Sequence, residues 1–186
     1  MNRSILGLLL TSCLLLGGCW QANGSLYPKA DPVTPFHAGA LTMTGKDLKS
    51  QHFALTLDAN HSYRMIGTDK GTDEFGEGFI LRIFNLRGIP DNMYVYEAVS
   101  LSHCNNPAGC DAVKASDPRY YGLVHVTAHG AEEIRPDCDK DAAATKPFGI
   151  KSDSGTCTFA NRDSLETSLT MLAQSERKPN FFYRLK

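Results

Sequence analysis

Alternation with a period of two runs through most of this chain and leaves few folds open to it. Phe53, Leu55 and Leu57 are interleaved with Ala54 and Thr56, and Tyr63, Met65 and Gly67 resume the pattern after the turn formers Asp58-Ala59-Asn60-His61-Ser62. Successive strand side chains point to opposite faces, so this spacing predicts a hairpin with one buried face. Residues 79–86 are apolar apart from Arg82 and Asn85, as in a central strand, and Gly88, Pro90, Asp91 and Asn92 turn the chain into a further strand over 93–100. Residues 120–127 alternate again, 132–135 return beside them after a turn at His129-Gly130, and Phe181, Tyr183 and Leu185 make a short last strand. One helix is predicted over 164–174, where Asp163 and Glu166 fit a capping box and Leu165, Leu169 and Leu172 repeat at i, i+4 and i+7. Pro179 ends it. The fold class expected is therefore mainly β (α+β): a single antiparallel twisted sheet or small open barrel with one C-terminal helix packed against it.

Composition excludes some roles. The 186 residues carry 19 Lys+Arg against 20 Asp+Glu, a net charge of −1, which lacks the basic excess of a nucleic-acid binder. With 42% hydrophobic and 21% charged residues, the chain is neither mainly disordered nor a multi-span membrane protein.

The N-terminus has a separate character. Arg3 is its one early charge, an apolar run follows over 5–16, and Gly17 and Gly18 come next, the order of a secretory signal. As a helix that run would reach about 18 Å, well short of the roughly 30 Å of a bilayer's hydrocarbon core. The segment ends Leu16-Gly17-Gly18-Cys19, which resembles the lipobox of bacterial lipoproteins. The resemblance implies that residues 1–18 are a cleaved signal peptide and that Cys19 is acylated as the first residue of a 168-residue mature chain. It also implies anchoring to the membrane through lipid, each buried CH₂ contributing about 0.8 kcal/mol. Trp20 stands second after cleavage, in place of the Asp that holds enterobacterial lipoproteins in the inner membrane, so the expected address is the outer membrane, facing the periplasm. Residues 19–40, with Gly24, Pro28, Pro32 and Pro35, read as a lipidated N-terminus and flexible tether, and 41–186 as a single disulfide-containing β-rich domain.

Four cysteines remain after Cys13 and Cys19 are set aside: Cys104, Cys110, Cys138 and Cys157. In an exported chain they should be oxidised, and four cysteines allow three pairings. Turn formers between Cys104 and Cys110 favour that pair, leaving Cys138 with Cys157. A four-thiolate zinc site is disfavoured, because the cysteines lack the short paired spacing such sites use. No cofactor is expected.

Candidate chemistry is sparse. His125 and His129 on a strand would lie about 13 Å apart, too far to share a metal without a sharp turn. Asp137, Asp139 and Asp141 alternate as a calcium loop begins, but Ala142 and Phe148 stand where that loop needs Gly and Glu. Asp58, Asn60 and Ser62 fail similarly at Tyr63. Asp69, Asp73, Glu74 and Glu77 could supply a hydrolase pair, although nothing in the sequence selects one. Tyr94, Tyr96, Tyr120 and Tyr121 could form a partner patch or serve as cross-strand pairs within a sheet.

Beyond the lipobox, the layout of a tyrosine strand, a Pro-Asp-Cys turn and a later cysteine before a capped helix is similar to bacterial envelope lipoproteins of unassigned activity. The leading expectation is a non-enzymatic binding or accessory lipoprotein, such as an inhibitor or immunity protein acting on a periplasmic or secreted protein. The alternatives are a lipocalin-like carrier of a small apolar ligand and an envelope hydrolase using the acids of 67–78.

Overall fold

The computed structural model describes residues 20–45, 48–68, 78–101, 113–145, 150–151 and 156–186. In chain order these form β1 (Trp20–Asn23), β2 (Gly39–Gly45), β3 (Leu48–Leu57), β4 (Tyr63–Gly67), β5 (Gly78–Phe84), β6 (Met93–Leu101), β7 (Pro118–Thr127) and β8 (Gly130–Ile134). There follow α1 (Ala142–Thr145), β9 (Ile150–Lys151), β10 (Cys157–Thr158), α2 (Arg162–Ala173) and β11 (Phe181–Leu185).

From β2 to β8 each strand pairs antiparallel with the next, as the recurring alternation and short turns require. The last strand then closes the sheet on itself. β11 lies between β2 and β8, with Tyr183 opposite both Met43 and Ala131, and the result is a closed antiparallel barrel of eight strands. Closure removes the unpaired edges that an open sheet would expose. β8 covers just the second half of β7, and β1 occupies the rest of that edge, pairing Trp20 with Tyr121 and Asn23 with Pro118. β1 also pairs parallel with β10, which pairs with β9.

The chain buries two apolar faces. Inside the barrel are the inward members of each alternating strand, among them Leu41, Phe53, Met65, Ala98 and Val124. Outside it, α2 lays Leu165, Leu169 and Leu172 against Val95, Tyr121 and Leu123, with Trp20, Tyr27 and Phe159 completing the layer. Each of those leucines is at most 1% exposed, a burial that contributes about 1.5–3 kcal/mol apiece. The helix begins earlier than its sequence indicates. Asn161 is the N-cap, its Oδ1 accepting from the Ser164 amide at 2.9 Å, while Glu166 pairs with Arg162 at 2.7 Å. Asp163 lies in the first turn, where a carboxylate complements the helix dipole.

The expected tether over 19–40 is corrected over 20–36. Trp20 and Tyr27 are 0% and 1% exposed, and a buried polar cluster pins the segment to the barrel wall. Ser25 Oγ donates to Glu97 at 2.6 Å, Tyr121 Oη donates to Glu97 at 2.9 Å, and Arg82 bonds Glu97 and the carbonyls of Tyr27 and Ala30. Gly and Pro content suggested a linker, but the aromatic residues between them have apolar surface that the barrel's outer wall can bury.

Cys138 and Cys157 form a disulfide with Cα atoms 5.7 Å apart, joining the stretch after β8 to β10. The two cysteines are 19 positions apart, and closing a loop of that length contributes about 3 kcal/mol in the chain-entropy account. Cys104 and Cys110 lie outside the described residues, as do Cys19 and the acids Asp69, Asp73, Glu74 and Glu77.

Candidate ligand cavity

The barrel lumen is not filled by its own side chains. It retains a cavity of about 120 Å³ whose walls are nearly all apolar, including Leu41, Phe53, Met65, Leu81, Val124 and Leu185. These come from inward positions on six different strands, so closure of the barrel is what brings them together.

One end of the lumen is crossed by the segment before β2. Val33 makes a bridge to Ile83, with its amide donating to the Ile83 carbonyl at 2.8 Å. Phe36 is held by both backbone groups: its amide donates to Tyr63 Oη at 2.9 Å, and that hydroxyl donates to the Phe36 carbonyl at 2.8 Å. The two rings meet edge to face at 5.8 Å, and Phe36 lines the cavity. Burial pushes the Tyr63 hydroxyl up from its ordinary value, which keeps its proton in place for that bond.

Towards the other end stands an ion pair. Glu133, on an inward position of β8, is 4% exposed, and Arg135 follows on the same face. Glu133 Oε1 accepts from Arg135 Nε at 3.0 Å and from Tyr96 Oη at 2.7 Å. Its Oε2 accepts from Arg135 Nη2 at 3.3 Å and, through a short bond, from Tyr183 Oη. The guanidinium also lies over the Phe181 ring, 4.3 Å from its centre. Burial alone would raise the Glu133 carboxyl, but the Arg135 charge and the bonds from Arg135, Tyr183 and Tyr96 reverse this and hold it below its ordinary value. The Tyr183 hydroxyl is pushed well above its ordinary value, by burial first and then by the Glu133 charge.

Gly122 makes the Tyr96 contact geometrically feasible. Tyr96 pairs with Gly122 on the neighbouring β7, and a Cβ there would come within 2.6 Å of the tyrosine hydroxyl. The ring therefore passes over the glycine to reach Glu133 one strand further on. Gln51, opposite Met43 on β3, also lines the cavity, and its Oε1 is buried with no hydrogen-bond partner.

The four tyrosines do not share an exposed face, so the expected partner patch is corrected. Tyr94, Tyr96 and Tyr120 lie on the lumen side, and Tyr121 lies on the outer side at 0% exposure beneath the N-terminal segment. Strand alternation puts neighbours Tyr120 and Tyr121 on opposite faces, and barrel closure with the overlying segment then covers both faces. Asp137 and Asp141 are committed to local order: Asp137 accepts from the Asp139 and Lys140 amides, and Asp141 accepts from the Asp137 amide and pairs with Arg177. His125 faces Glu132 at 3.4 Å, and His129 sits in the turn between β7 and β8. Among the described residues there is no group of three or more His, Cys, Asp or Glu placed to hold a metal ion.

Sequence reasoning missed Glu133, Arg135 and Gln51 as site residues. Periodicity gave no signal for them: Glu133 and Arg135 share a face with Ala131, but the large apolar residue of this strand, Ile134, lies on the opposite face, and only the structure shows that the face with the charges is the inner one. No protein-family model, curated protein or solved structure matches the chain.

Proposed function

We propose that this protein is a lipocalin-like carrier that takes a small apolar molecule into its barrel, and that it works in the cell envelope, tethered by lipid on Cys19 to the periplasmic side of the outer membrane. The single observation that carries the binding role is the apolar lumen cavity of about 120 Å³ in a closed barrel. An engineered apolar cavity of about 150 Å³ stays dry and takes up benzene, so a space of this size suits a ring or short alkyl chain of around six carbons. Barrels of eight strands have an interior wide enough to hold one small ligand when side chains leave room.

A ligand that binds the folded state raises its stability by RT ln(1 + [L]/Kd), about 1.4 kcal/mol at ten times Kd. Toluene at that concentration is therefore expected to raise the melting temperature by about 4 °C. Ala131→Met, which fills the lumen from β8, should fold and lose the response. A wild-type melting curve unmoved by saturating toluene would overturn the carrier reading.

The anchoring role rests on the Leu16-Gly17-Gly18-Cys19 resemblance. Since β1 begins at Trp20, an acyl group one residue earlier would leave almost no slack between membrane and barrel. Cells fed radiolabelled palmitate should label the wild-type chain and not Cys19→Ser. An unlabelled wild-type chain would sink the anchor.

A further inference from the structure

We propose that residues 31–38 are the gate of the lumen, latched shut by the Tyr63 hydroxyl, and that the apolar ligand enters and leaves when this strap lifts; the proposal rests on the carrier reading and adds its route. The strap is fixed at both ends. Before it, the Ala30 carbonyl accepts from Arg82 Nη2 at 3.2 Å, and after it the Ala40 carbonyl accepts from the Lys186 amide at 3.0 Å. Between these points, among the described residues, the Val33 amide holds the strap to Ile83 and the Tyr63 hydroxyl holds it at Phe36, while Pro32 and Pro35 have no amide hydrogen to add. Its side chains divide as those of a cap would: Val33 and Phe36 are half-buried against the lumen residues, and Asp31, Thr34, His37 and Ala38 are exposed. Ile83 and Tyr63, which hold the strap, line the cavity themselves.

Lifting the strap breaks neutral hydrogen bonds and moves one aromatic ring, and the eight-strand pairing of the barrel stays intact. Leaving by the other end would disturb the Glu133 carboxylate and the Arg135 guanidinium, and separating a buried ion pair costs far more. The latch is concentrated on one atom. Tyr63 Oη satisfies both the amide and the carbonyl of Phe36, so its removal frees both at once. Loss of that hydroxyl therefore destabilises the shut form, with or without ligand, and raises the open population by the same factor in each. Entry and exit quicken together, and affinity, which is their ratio, moves little.

Fluorine NMR of para-fluorotoluene with the whole protein reads both rates from exchange between its free and bound signals. Tyr63→Phe, which keeps the ring, is expected to raise the association and dissociation rates about tenfold each, the effect of losing one to two neutral hydrogen bonds, with Kd changed by less than about threefold. Hydrogen exchange of the wild type gives a check that needs no variant. The Val33 and Phe36 amides should exchange through one common opening, with protection about a hundredfold lower than that of the amides of β3 and β4. Rates unchanged in Tyr63→Phe, or a weaker Kd with an unchanged association rate, would overturn the gate and leave the carrier reading standing. So would Val33 and Phe36 amides protected as strongly as those of the sheet. Failure of para-fluorotoluene to bind the wild type would overturn both.

Discussion

Replacing Glu133 with alanine is expected to lower the unfolding free energy by about 3–5 kcal/mol, read from urea melts of wild type and variant, because it strands the Arg135 guanidinium inside the barrel. The side chains of Glu133 and Arg135 are 6% and 18% exposed, so water cannot replace what the carboxylate supplied. Two tyrosine hydroxyls would lose their acceptor at the same stroke. Replacing the pair together, as Glu133→Leu with Arg135→Met, should cost much less than the single change, since no charge is left buried. A loss below about 1 kcal/mol for Glu133→Ala would show that the pair does not hold the barrel's interior.

The same pair sets a pH dependence. The folded protein holds the Glu133 carboxyl below its ordinary value of 4.5, so the stability it contributes is fully present above that value. It is lost as pH falls below 4.5 and through the folded value, because protonation there must break the interaction with Arg135. Urea midpoints of the wild type should therefore fall more steeply with acid than those of Glu133→Gln. Parallel profiles would contradict the assignment.

The second large effect is expected at Gly130. It has φ of +149° and opens β8 at the seam where β11 closes the barrel, pairing with Arg184. A Cβ at this position would lie 1.9 Å from the Tyr183 carbonyl oxygen, which belongs to backbone and cannot turn aside. Gly130→Ala therefore adds backbone strain and pushes β8 from β11, weakening the hydrogen bonds of the seam. The expected loss is about 3 kcal/mol or more, checked by thermal and urea melts. A variant within about 1 kcal/mol of wild type would show that the seam closes in another way.

The seam also marks where sequence reading stopped. Alternation over 53–57, 63–67, 93–100 and 120–127 was legible because strand periodicity is local, with each side chain's face following from its neighbour's. The helix was legible from three leucines at helical spacing, although its cap moved to Asn161, since several polar residues compete for that role and packing selects among them. β1 was not legible. Its four residues have a partner in β7, about a hundred positions away, and nothing within Trp20–Asn23 announces that pairing.

The candidate site divides along the same line. Sequence by itself determined that this chain is mainly β, that one amphipathic helix follows, and that a short strand over 132–135 returns beside 120–127. The tertiary structure alone decided that β11 inserts between β8 and β2, which turned one face of the sheet into a lumen. A face read from periodicity is merely inside or outside. Whether the inside is packed solid or keeps a cavity depends on strand number, stagger and the fit of side chains from strands far apart in sequence, and those are properties of the closed barrel as a whole.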